Sequence, residues 1–390
     1  MKGTKTAALK KHTRICWTLP SLLEQAEQWY LSVRAKVGIA EETHHWWPFS
    51  YKWKSTVKSC LSSFIAGAYV FSPMKQYCFP EETIRIWCYS DRLMVRLLFL
   101  ILKPCFKHII PATCHSLKGP GAIQGITKDI KVALDSGAYH FAMRIDIRSY
   151  YASIDHGVLL KQLAEVLDDK RVLHYLNAIV TIAIDKEGII FRPQKGIPLR
   201  SALSPFFGAL ALAPLDKAFS GKDVFYSRYQ DDIIILIKTK NQFIKAKKLL
   251  FKVLGSLHLA ISPEKTRLGR LKDFHFLGVK FEVSQNPQEK TQSTATMHPR
   301  SCARALEKVK TLRANAVHTA HIQRYLMRWA GWWHCVAGWT KLSLLTQWVE
   351  YTGALAPDTA WIGSGLLPWV GVVSGCCGHD ARHIQDLINE

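Results

Sequence analysis

The sequence predicts an α+β fold in which helical regions flank a central set of short strands. Apolar residues recur at three- and four-residue spacing in SLLEQAEQWYLSVRAKV near the N-terminus, and the region from about Pro299 to Thr352 is also predicted to be helical. Between these regions, HFAMRIDIRSYYASI alternates polar and apolar residues as a strand does, and FYSRYQDDIIILIKT predicts two strands joined by a tight turn. A chain of 390 residues is long enough for roughly two or three domain-sized units.

The excess of positive charge indicates the class of partner. There are 52 Lys and Arg residues against 30 Asp and Glu, which gives a formal net charge of +22. A charge this large predicts a polyanionic partner, either nucleic acid or an anionic membrane surface. The hydrophobic fraction of 48% excludes a wholly disordered chain.

Three features predict a cytoplasmic protein without a membrane span. The best apolar run, Leu97 to Leu102, is far shorter than the ~20 residues that cross a bilayer. The basic N-terminal residues are not followed by the apolar segment of a signal peptide. The 10 cysteines lack regular spacing, which is typical of reduced thiols.

The N-terminal third is predicted to be mainly helical. Residues 1–15 form a basic arm, and helices are expected from Trp17 to about Ile110. One helix should begin with Ser90 and Asp91 as its N-cap and end at Pro104. The glycine-bearing loop HSLKGPGAIQG follows, in which the backbone can approach a partner closely.

The central third is predicted to mix helices and strands. A helix is expected from about His156 to Leu167, followed by a second helix and a short hairpin at IIFRPQ. The apolar spacing of SALSPFFGALALAPLDKAF predicts one long helix. A basic helix from Asn241 to about Leu254 and further strands, including FHFLGVKF, complete this region.

The adjacent carboxylates Asp231 and Asp232 are the most informative chemical feature. They lie at the tip of the predicted strand–turn–strand segment, where two like charges repel each other. A bound divalent cation would relieve that repulsion, and the fold could bring Asp146, 85 residues upstream of Asp231 at the end of another predicted strand, beside them. An ordinary solvated hairpin turn is the alternative for a lone Asp-Asp pair.

An ordered set of motifs carries a family resemblance. DIRSYY begins at Asp146, GIPLRSALSP follows it, and RYQDD ends at Asp232, all at compatible spacings. This set resembles the reverse transcriptase family, specifically the bacterial branch related to group II intron enzymes. SDR before an apolar helix, HSLKGPGA, SPEKTRLG and FHFLGVKF resemble further blocks of that branch, so the resemblance covers roughly residues 65–355.

The resemblance implies a right-hand polymerase with fingers, a palm of antiparallel sheet plus helices, and a helical thumb. The implied boundaries are a basic arm and N-terminal helical region at 1–64, fingers at 65–140 with part of 170–200, a palm at 141–295, a thumb at 296–355 and a C-terminal tail at 356–390.

The resemblance also implies a catalytic metal site. Asp146, Asp231 and Asp232 would hold two Mg²⁺ ions, for which Mn²⁺ could substitute, and the backbone carbonyl of Ile147 would complete one coordination sphere. A primer 3′-OH would then attack the α-phosphate of the nucleotide in line. Lys265 in SPEKT occupies the position of a lysine near the leaving pyrophosphate and would act as a general acid; a surface lysine is the alternative.

Tyr151 occupies the position of the aromatic steric gate in this family. Its ring would clash with a ribose 2′-OH and so favour dNTPs. The alternative is a core aromatic residue beside Tyr150.

The resemblance suggests further contacts to nucleotide and nucleic acid. Lys118, Gly196 and Arg200 are candidate nucleotide-binding residues, and Arg92 is a candidate contact to nucleic acid. Solvated charges are the alternative for Lys118 and Arg92. Where group II intron enzymes have GTPQGG, this chain has Leu199 and Arg200 in place of Gln and Gly, so Arg200 could touch phosphate or RNA directly. The implied thumb offers three candidate contacts to the RNA–DNA duplex: Arg324, Arg328 and Lys341.

The C-terminal segment supports two expectations. It contains four potential zinc ligands, which could equally belong to a tail that merely contains them: Cys376, Cys377, His379 and His383. No HNH endonuclease pattern follows the predicted thumb, and no RNase H-like acidic set is present. We therefore expect cDNA synthesis without the machinery for integration.

The sequence leaves three functions open. The first is a reverse transcriptase that copies a structured non-coding RNA in bacterial antiphage defence, because GIPL, LSP and SYYASIDH resemble free-standing enzymes of that kind. The second is a polymerase or maturase that serves a group II intron or retroelement. The third is a non-catalytic RNA-binding protein with the polymerase fold, against which the intact set of three aspartates argues. RNA-templated RNA synthesis is disfavoured by Tyr151, and the oligomeric state is open.

Overall fold

The computed structural model describes residues 17–34, 43–80, 83–119, 121–283, 293–297, 299–315, 321, 322, 325 and 329. Its mixture of helices and sheets confirms the predicted α+β class. None of the described helices is both long and apolar enough to cross a bilayer. The chain divides into two compact units: the first contains the described residues of 1–117, 143–235 and 240–268, and the second those of 118–142, 236–239 and 269–390.

Helices and strands follow each other irregularly along the chain. The helices are α1 (Leu19–Arg34), α2 (Thr43–Tyr51), α3 (Trp53–Ile65), α4 (Tyr89–Ile109), α5 (Ala122–Asp135), α6 (Tyr150–Ser153), α7 (His156–Val166), α8 (Lys170–Val180), α9 (Ser204–Ala211), α10 (Ala213–Phe219), α11 (Lys240–Ser256) and α12 (Pro299–Ala314). The strands are β1 (Met74–Cys78), β2 (Thr83–Ile86), β3 (Phe141–Ile145), β4 (Ile184–Lys186), β5 (Ile189–Phe191), β6 (Phe225–Tyr229), β7 (Asp232–Ile237), β8 (Arg267–Arg270), β9 (Phe274–Phe276), β10 (Val279–Glu282) and β11 (Thr294–Met297). The described strands form sheets with the orders β2-β1-β4-β5, β6-β7-β3-β8 and β11-β10-β9.

An aromatic cluster joins the N-terminal helices. The ring of Tyr30 on α1 stacks on that of Trp53 on α3, with centroids 4.3 Å apart, and on that of Trp46 on α2, with centroids 5.5 Å apart. Trp46 also meets Tyr89, at the start of α4, with centroids 5.0 Å apart. Because aromatic rings bury large apolar surfaces, these contacts hold the four helices in one cluster.

The prediction of a mainly helical N-terminal third is wrong between α3 and α4. There β1 and β2 form an antiparallel hairpin. Strand β1 also pairs in parallel with β4, so that Met74 lies opposite Ile184. Because β1 and β4 are far apart in sequence, no local sequence pattern indicates that they pair. This segment forms strands because it pairs with β4, and not because its residues prefer the strand conformation.

The start of α4 differs from the predicted cap. Cys88 is the N-cap, and its Sγ accepts a hydrogen bond from the backbone N–H of Asp91 at 3.5 Å. Asp91 is buried inside the first turn, where its carboxylate accepts hydrogen bonds from the Tyr69 hydroxyl at 2.7 Å and the Ser72 backbone N–H at 3.0 Å. Asp91 thus ties the preceding segment to the helix instead of capping it.

Packing also overrides two predicted helix boundaries. Helix α4 continues past Pro104 because Leu102 and Phe106, on either side of the proline, are buried. The long helix predicted over 201–219 is instead two helices, α9 and α10, which meet at Leu212. Pro214 lies in the first turn of α10, where its missing N–H costs no hydrogen bond.

Strand β7 forms the apolar centre of the sheet β6-β7-β3-β8. Every residue from Ile233 to Ile237 is fully buried. Strands β6 and β7 are separated only by Gln230 and Asp231, which confirms the predicted strand–turn–strand segment, and so short a connection makes the pair antiparallel. The end of β7 that carries Asp232 is therefore set next to the turn.

The second unit contains a small antiparallel sheet. The predicted FHFLGVKF strands are confirmed as β9 and β10, joined at Leu277 and Gly278, whose φ angles of 51° and 81° match a hairpin turn with two left-handed residues. Strand β11 pairs with β10. Just before β11, the N–H and hydroxyl of Ser293 donate to the carboxylate of Asp135 at the end of α5, at 2.8 and 2.6 Å.

Candidate active site

The Asp-Asp turn connects strands β6 and β7. Strand β6 ends at Tyr229, Gln230 adopts a left-handed conformation with φ of 54°, and β7 begins at Asp232. The apolar run after Asp232 is buried, whereas Asp231 and Asp232 themselves stay partly exposed. The core thus anchors β7 while its first residue and the turn residue before it present carboxylates at the sheet edge.

Asp146 follows directly after β3, the strand next to β7 in the sheet. Its backbone carbonyl accepts a hydrogen bond from the N–H of Ser262 at 2.8 Å. Its carboxylate Oδ2 lies 3.6 Å from the Nζ of Lys265, whose side chain is 61% exposed. The sequence-predicted residues Asp146 and Lys265 are therefore neighbours, although 119 residues separate them.

Burial and mutual repulsion raise the pKa of both turn carboxylates. Burial is the larger cause of the raised pKa of Asp231, and the negative charge of Asp146 adds to it. Burial and then the charge of Asp231 raise the pKa of Asp232 to about 6, while Arg144 and Lys265 oppose that shift. Carboxylates that perturb each other in this way share one electrostatic environment, in which a bound cation would favour the ionised forms.

The carboxylates do not form a complete cage for an ion. Within the described part of the chain, no three His, Cys, Asp or Glu side chains converge closely enough to hold a metal by themselves. Mg²⁺ keeps several waters and is commonly bound by one or two carboxylates together with substrate phosphates. The donor set therefore fits a cation whose shell is completed by a phosphate-bearing substrate.

Ile147 continues the chain from Asp146 through an isolated antiparallel bridge. It lies opposite Ile261, and the flanking bonds run from Arg148 N–H to the Ala260 carbonyl at 2.9 Å and from Ser262 N–H to the Asp146 carbonyl. Ile147 is thus in a non-hydrogen-bonded pair, so its own carbonyl points away from Ile261. That carbonyl is not used by this bridge.

Arg228 is a fully buried cation that the sequence reasoning missed. Its Nε donates to Asp216 Oδ1 at 2.8 Å, and a terminal guanidinium nitrogen donates to the other carboxylate oxygen. Its remaining N–H groups reach the carbonyl of Ala209 at 3.0 Å and that of Gln230 at 2.8 Å. The hydroxyl of Tyr226 donates to Asp216 at 2.7 Å, so the buried carboxylate is also satisfied.

The Arg228–Asp216 pair connects the helical layer to the Asp-Asp turn. Burial alone would lower the pKa of Arg228, but the hydrogen bonds and charge of Asp216 raise it, so the guanidinium stays charged. Because one arm of the same guanidinium holds the carbonyl of Gln230, the pair positions the residue just before Asp231. An arginine inside an apolar strand and a lone acid inside an apolar helix were the signals available in the sequence.

Tyr151 lies where its ring contacts Gly208 of α9. A Cβ on Gly208 would lie 3.0 Å from Tyr151 Cε1, so a larger residue there would push the ring away by a few tenths of an ångström. The neighbouring Tyr150 is buried and its hydroxyl donates to the carbonyl of Gly208. Tyr151 is half-buried, and burial followed by the charge of Asp231 raises its pKa to about 12.

Backbone hydrogen bonds join the loop at Gly196 to the segment that carries Tyr151. The N–H of Gly196 donates to the carbonyl of Ile154 at 2.8 Å, and the N–H of Ile197 donates to that of Tyr151 at 3.0 Å. Gly196 has a φ of 89°, and a Cβ there would lie 3.1 Å from the carbonyl oxygen of Ala152. Glycine is therefore required at position 196 for these two backbone hydrogen bonds, which set the position of Tyr151.

The structure describes only some of the other residues predicted to contact nucleotide or nucleic acid. Arg200 adopts a left-handed φ of 59°, at the position where the resemblance expects glycine. The guanidinium of Arg92 lies 5.0 Å from the ring centroid of Tyr89. Lys118 is exposed and belongs to the second compact unit. Seven candidate residues lie outside the described part of the chain: Arg324, Arg328, Lys341, Cys376, Cys377, His379 and His383.

Carboxylates at the ends of neighbouring strands, beside a lysine, are an arrangement compatible with enzymes that transfer phosphoryl or nucleotidyl groups. The family described as "Reverse transcriptase (RNA-dependent DNA polymerase)" matches residues 80–281, just over half of the chain. The chain belongs to the reverse transcriptase family and is an RNA-directed DNA polymerase, a nucleotidyltransferase. This family generally uses divalent metal ions.

Two known proteins are similar in sequence to part of this chain. "Protein YkfC" of Escherichia coli K12 is 22% identical over 286 residues, which cover 59% of this chain and 75% of that protein. "Putative COX1/OXI3 intron 1 protein" of Saccharomyces cerevisiae is 20% identical over 260 residues, or 51% of this chain. The match spans 31% of the yeast protein, which is less than a third of its length.

Proposed function

We propose that this protein copies a structured non-coding RNA into cDNA and that it does so in a bacterial antiphage defence system. The observation that carries the polymerase part is the meeting of Asp231 and Asp232 with Asp146 and Lys265 in a chain of the reverse transcriptase family. The defence part rests on the resemblance of GIPL, LSP and SYYASIDH to free-standing enzymes of that kind.

Each residue of the site has a proposed role in nucleotidyl transfer. Asp146, Asp231 and Asp232 hold two Mg²⁺ ions, or Mn²⁺ in their place, together with the Ile147 carbonyl. When bound, the ions would neutralise the charge that develops on the attacking and leaving oxygens. Lys265 is close enough to Asp146 to reach the same substrate, and its exposed ammonium can give a proton to the departing pyrophosphate.

The fingers, palm and thumb are part of this proposal. The palm is the sheet β6-β7-β3-β8 with its helices, and the fingers include the hairpin β1–β2. The thumb begins with α12, whose first turn carries Arg300. Lys118, Arg92 and the thumb cations Arg324, Arg328 and Lys341 contact the dNTP, the template and the RNA–DNA duplex.

Replacing Tyr151 with alanine is expected to relax the discrimination of dNTPs from rNTPs by on the order of 10- to 100-fold. The ring is held against Gly208 and beside Asp231, so its loss opens space at the sugar without removing a carboxylate. The measurement is the ratio of kcat/KM for dNTP and rNTP on the same primer–template.

Tyr151→Phe is the matched control, because it keeps the ring and removes only the hydroxyl. It should retain the discrimination of the wild type. Equal ratios for Tyr151→Ala and the wild type would assign the ring to the core and remove it from the nucleotide site.

A maturase or retroelement polymerase is the second candidate function. The observation that favours it is the similarity to a yeast protein named for an intron. A polymerase serving an intron would not protect cells from phage, whereas a defence enzyme would do so only while active.

Phage plating separates the two functions. Cells that carry the protein with its cognate locus are expected to show phage plating reduced by on the order of 10²-fold or more, and this protection should disappear when the carboxylates of Asp231 and Asp232 are removed. Primer extension on RNA with dNTPs and Mg²⁺ tests the polymerase directly. Synthesis without protection would overturn the defence role alone, and no synthesis from purified protein would overturn the whole proposal.

A further inference from the structure

Helix α11 carries an exposed basic surface to which the proposed catalytic site assigns no role. Its 17 residues include five lysines and no Asp or Glu. Three buried residues, Ala246, Leu250 and Leu254, attach its other side to the protein, where α11 packs against α10. The side chains of all five lysines are exposed: Lys240, Lys245, Lys247, Lys248 and Lys252.

The five lysines share one face of the helix. At 3.6 residues per turn, they fall together with Ile244 and Phe251 within an arc of about 160°. In the part of the chain that the structure describes, no carboxylate forms an ion pair with any of these lysines. Like charges one turn apart, such as Lys248 and Lys252, repel each other. An anion that lies on this face would relieve the repulsion.

Two large apolar side chains lie exposed among these lysines. Ile244 is 56% exposed and Phe251 is 42% exposed. They are seven residues apart on the same side of the helix, about 10 Å along its axis, and Lys247 and Lys248 lie between them. An aromatic ring surrounded by cations is the combination that holds single-stranded nucleic acid, because the cations contact phosphates and the ring stacks on a base.

The first turns of α11 are set apart from the catalytic carboxylates. Strand β7 runs from Asp232 to Ile237, and α11 begins at Lys240, beyond the end of the strand opposite to Asp232. A strand of this length spans roughly 17 Å. RNA bound at the first turns of α11 therefore need not occupy the catalytic site.

We propose that the exposed face of α11 binds an unpaired segment of RNA outside the catalytic site. The lysines contact its phosphates, and a base stacks on the ring of Phe251. The choice of RNA rests on the proposed function, in which the protein copies an RNA, whereas the charged surface itself does not. The face would hold a part of the RNA that is not being copied.

An anionic membrane is the other polyanion that a basic helix can meet. A helix that lies on a membrane inserts an apolar face into it. The apolar face of α11, formed by Ala246, Leu250 and Leu254, is already buried in the protein, which leaves only Ile244 and Phe251 for insertion. We therefore expect no binding of this face to vesicles of phosphatidylserine and phosphatidylcholine.

Binding is measured by fluorescence anisotropy on the full chain with a labelled single-stranded oligo(A) RNA of about 12 nucleotides. A saturating unlabelled RNA–DNA primer–template occupies the catalytic site. Without dNTPs no synthesis takes place, so a failed polymerase assay would not change this readout. The α11 variant has glutamine in place of four lysines: Lys245, Lys247, Lys248 and Lys252. The matched control loses the same charge at four exposed lysines scattered over α4, α7 and α8: Lys103, Lys107, Lys161 and Lys170.

The α11 variant is expected to bind the RNA on the order of 10²-fold more weakly than the wild type, and its slope of log K against log salt should be smaller by about 3. Phe251→Ala should weaken binding about tenfold and leave the slope unchanged, because it removes stacking but no charge. The scattered control should bind as the wild type does, since salt at about 0.1 M screens charges more than about 10 Å away. The α11 variant should also extend a short primer–template at the wild-type rate.

Several results would overturn the proposal. One is the failure of the wild type to bind oligo(A) while primer–template is bound, and another is equal weakening in the scattered control, which would reduce the effect to net charge. Vesicle binding that is lost in the α11 variant would assign the face to a membrane. Tighter binding of a blunt RNA hairpin than of oligo(A) would exclude an unpaired segment. Slow primer extension by the α11 variant would place its lysines in the catalytic site.

Discussion

Replacement of both Asp231 and Asp232 by asparagine is expected to abolish RNA-templated DNA synthesis while the fold persists. Removing one preorganised electrostatic group from an active site typically costs about 10²–10³ in rate, so loss of two should exceed about 10³. The substitution keeps the size of each side chain and removes only its charge. Primer extension with dNTPs and Mg²⁺ measures the effect.

The stability of the same variant distinguishes a catalytic role from a structural one. Burial and repulsion raise the pKa of both carboxylates, so their ionised forms oppose folding at neutral pH. The melting temperature of the double variant should therefore be unchanged or higher. Asp129→Asn, at an exposed carboxylate on α5, is the control and should keep full activity. DNA synthesis by the double variant at the wild-type rate would show that the chemistry occurs elsewhere.

Replacement of Arg228 by leucine is expected to destabilise the protein strongly. The carboxylate of Asp216 would be left buried with one remaining donor, Tyr226, and breaking a buried pair costs about 3–5 kcal/mol. The expected fall in melting temperature is on the order of 10 °C. Thermal unfolding measures it, and Arg270→Leu on the surface should change stability by less than about 0.5 kcal/mol.

A matched pair of variants separates the stability of the ion pair from its effect on the turn. Arg228→Lys retains a positive charge opposite Asp216 but lacks the planar fork that also reaches the Gln230 carbonyl. It should recover part of the melting temperature and still synthesise DNA more slowly, with a lower kcat at 20 °C. Wild-type kcat in a stable Arg228→Lys variant would contradict the positioning of the Asp-Asp turn by this residue.

The local features of the site were predictable from the sequence. The apolar run after the Asp-Asp turn predicts a buried strand that begins there, and the alternating residues of HFAMRID predict a second strand. Asp146 could be placed at a strand end for the same reason. Their meeting required the order β6-β7-β3, which no local pattern contains, and only the ordered set of family motifs predicted it.

Other features depend on contacts that a linear pattern does not record. Arg228 and Asp216 each break an apolar segment, but only the folded structure shows that they satisfy one another. The apolar spacing of 201–219 is the same for one long helix as for two short ones that meet at Leu212.

The place of β3 in its sheet affects how the chain folds during synthesis. Both sheet neighbours of β3, the strands β7 and β8, are encoded later, and β8 ends 125 residues after β3 does. At ~5–20 residues per second, a ribosome needs roughly 6–25 s to cover that distance. Both edges of β3 are unpaired until β7 has been made, and one edge stays unpaired until β8 has been made, which is the condition that favours aggregation or capture by a chaperone. Slower translation should therefore reduce the yield of active enzyme unless a chaperone protects the nascent chain.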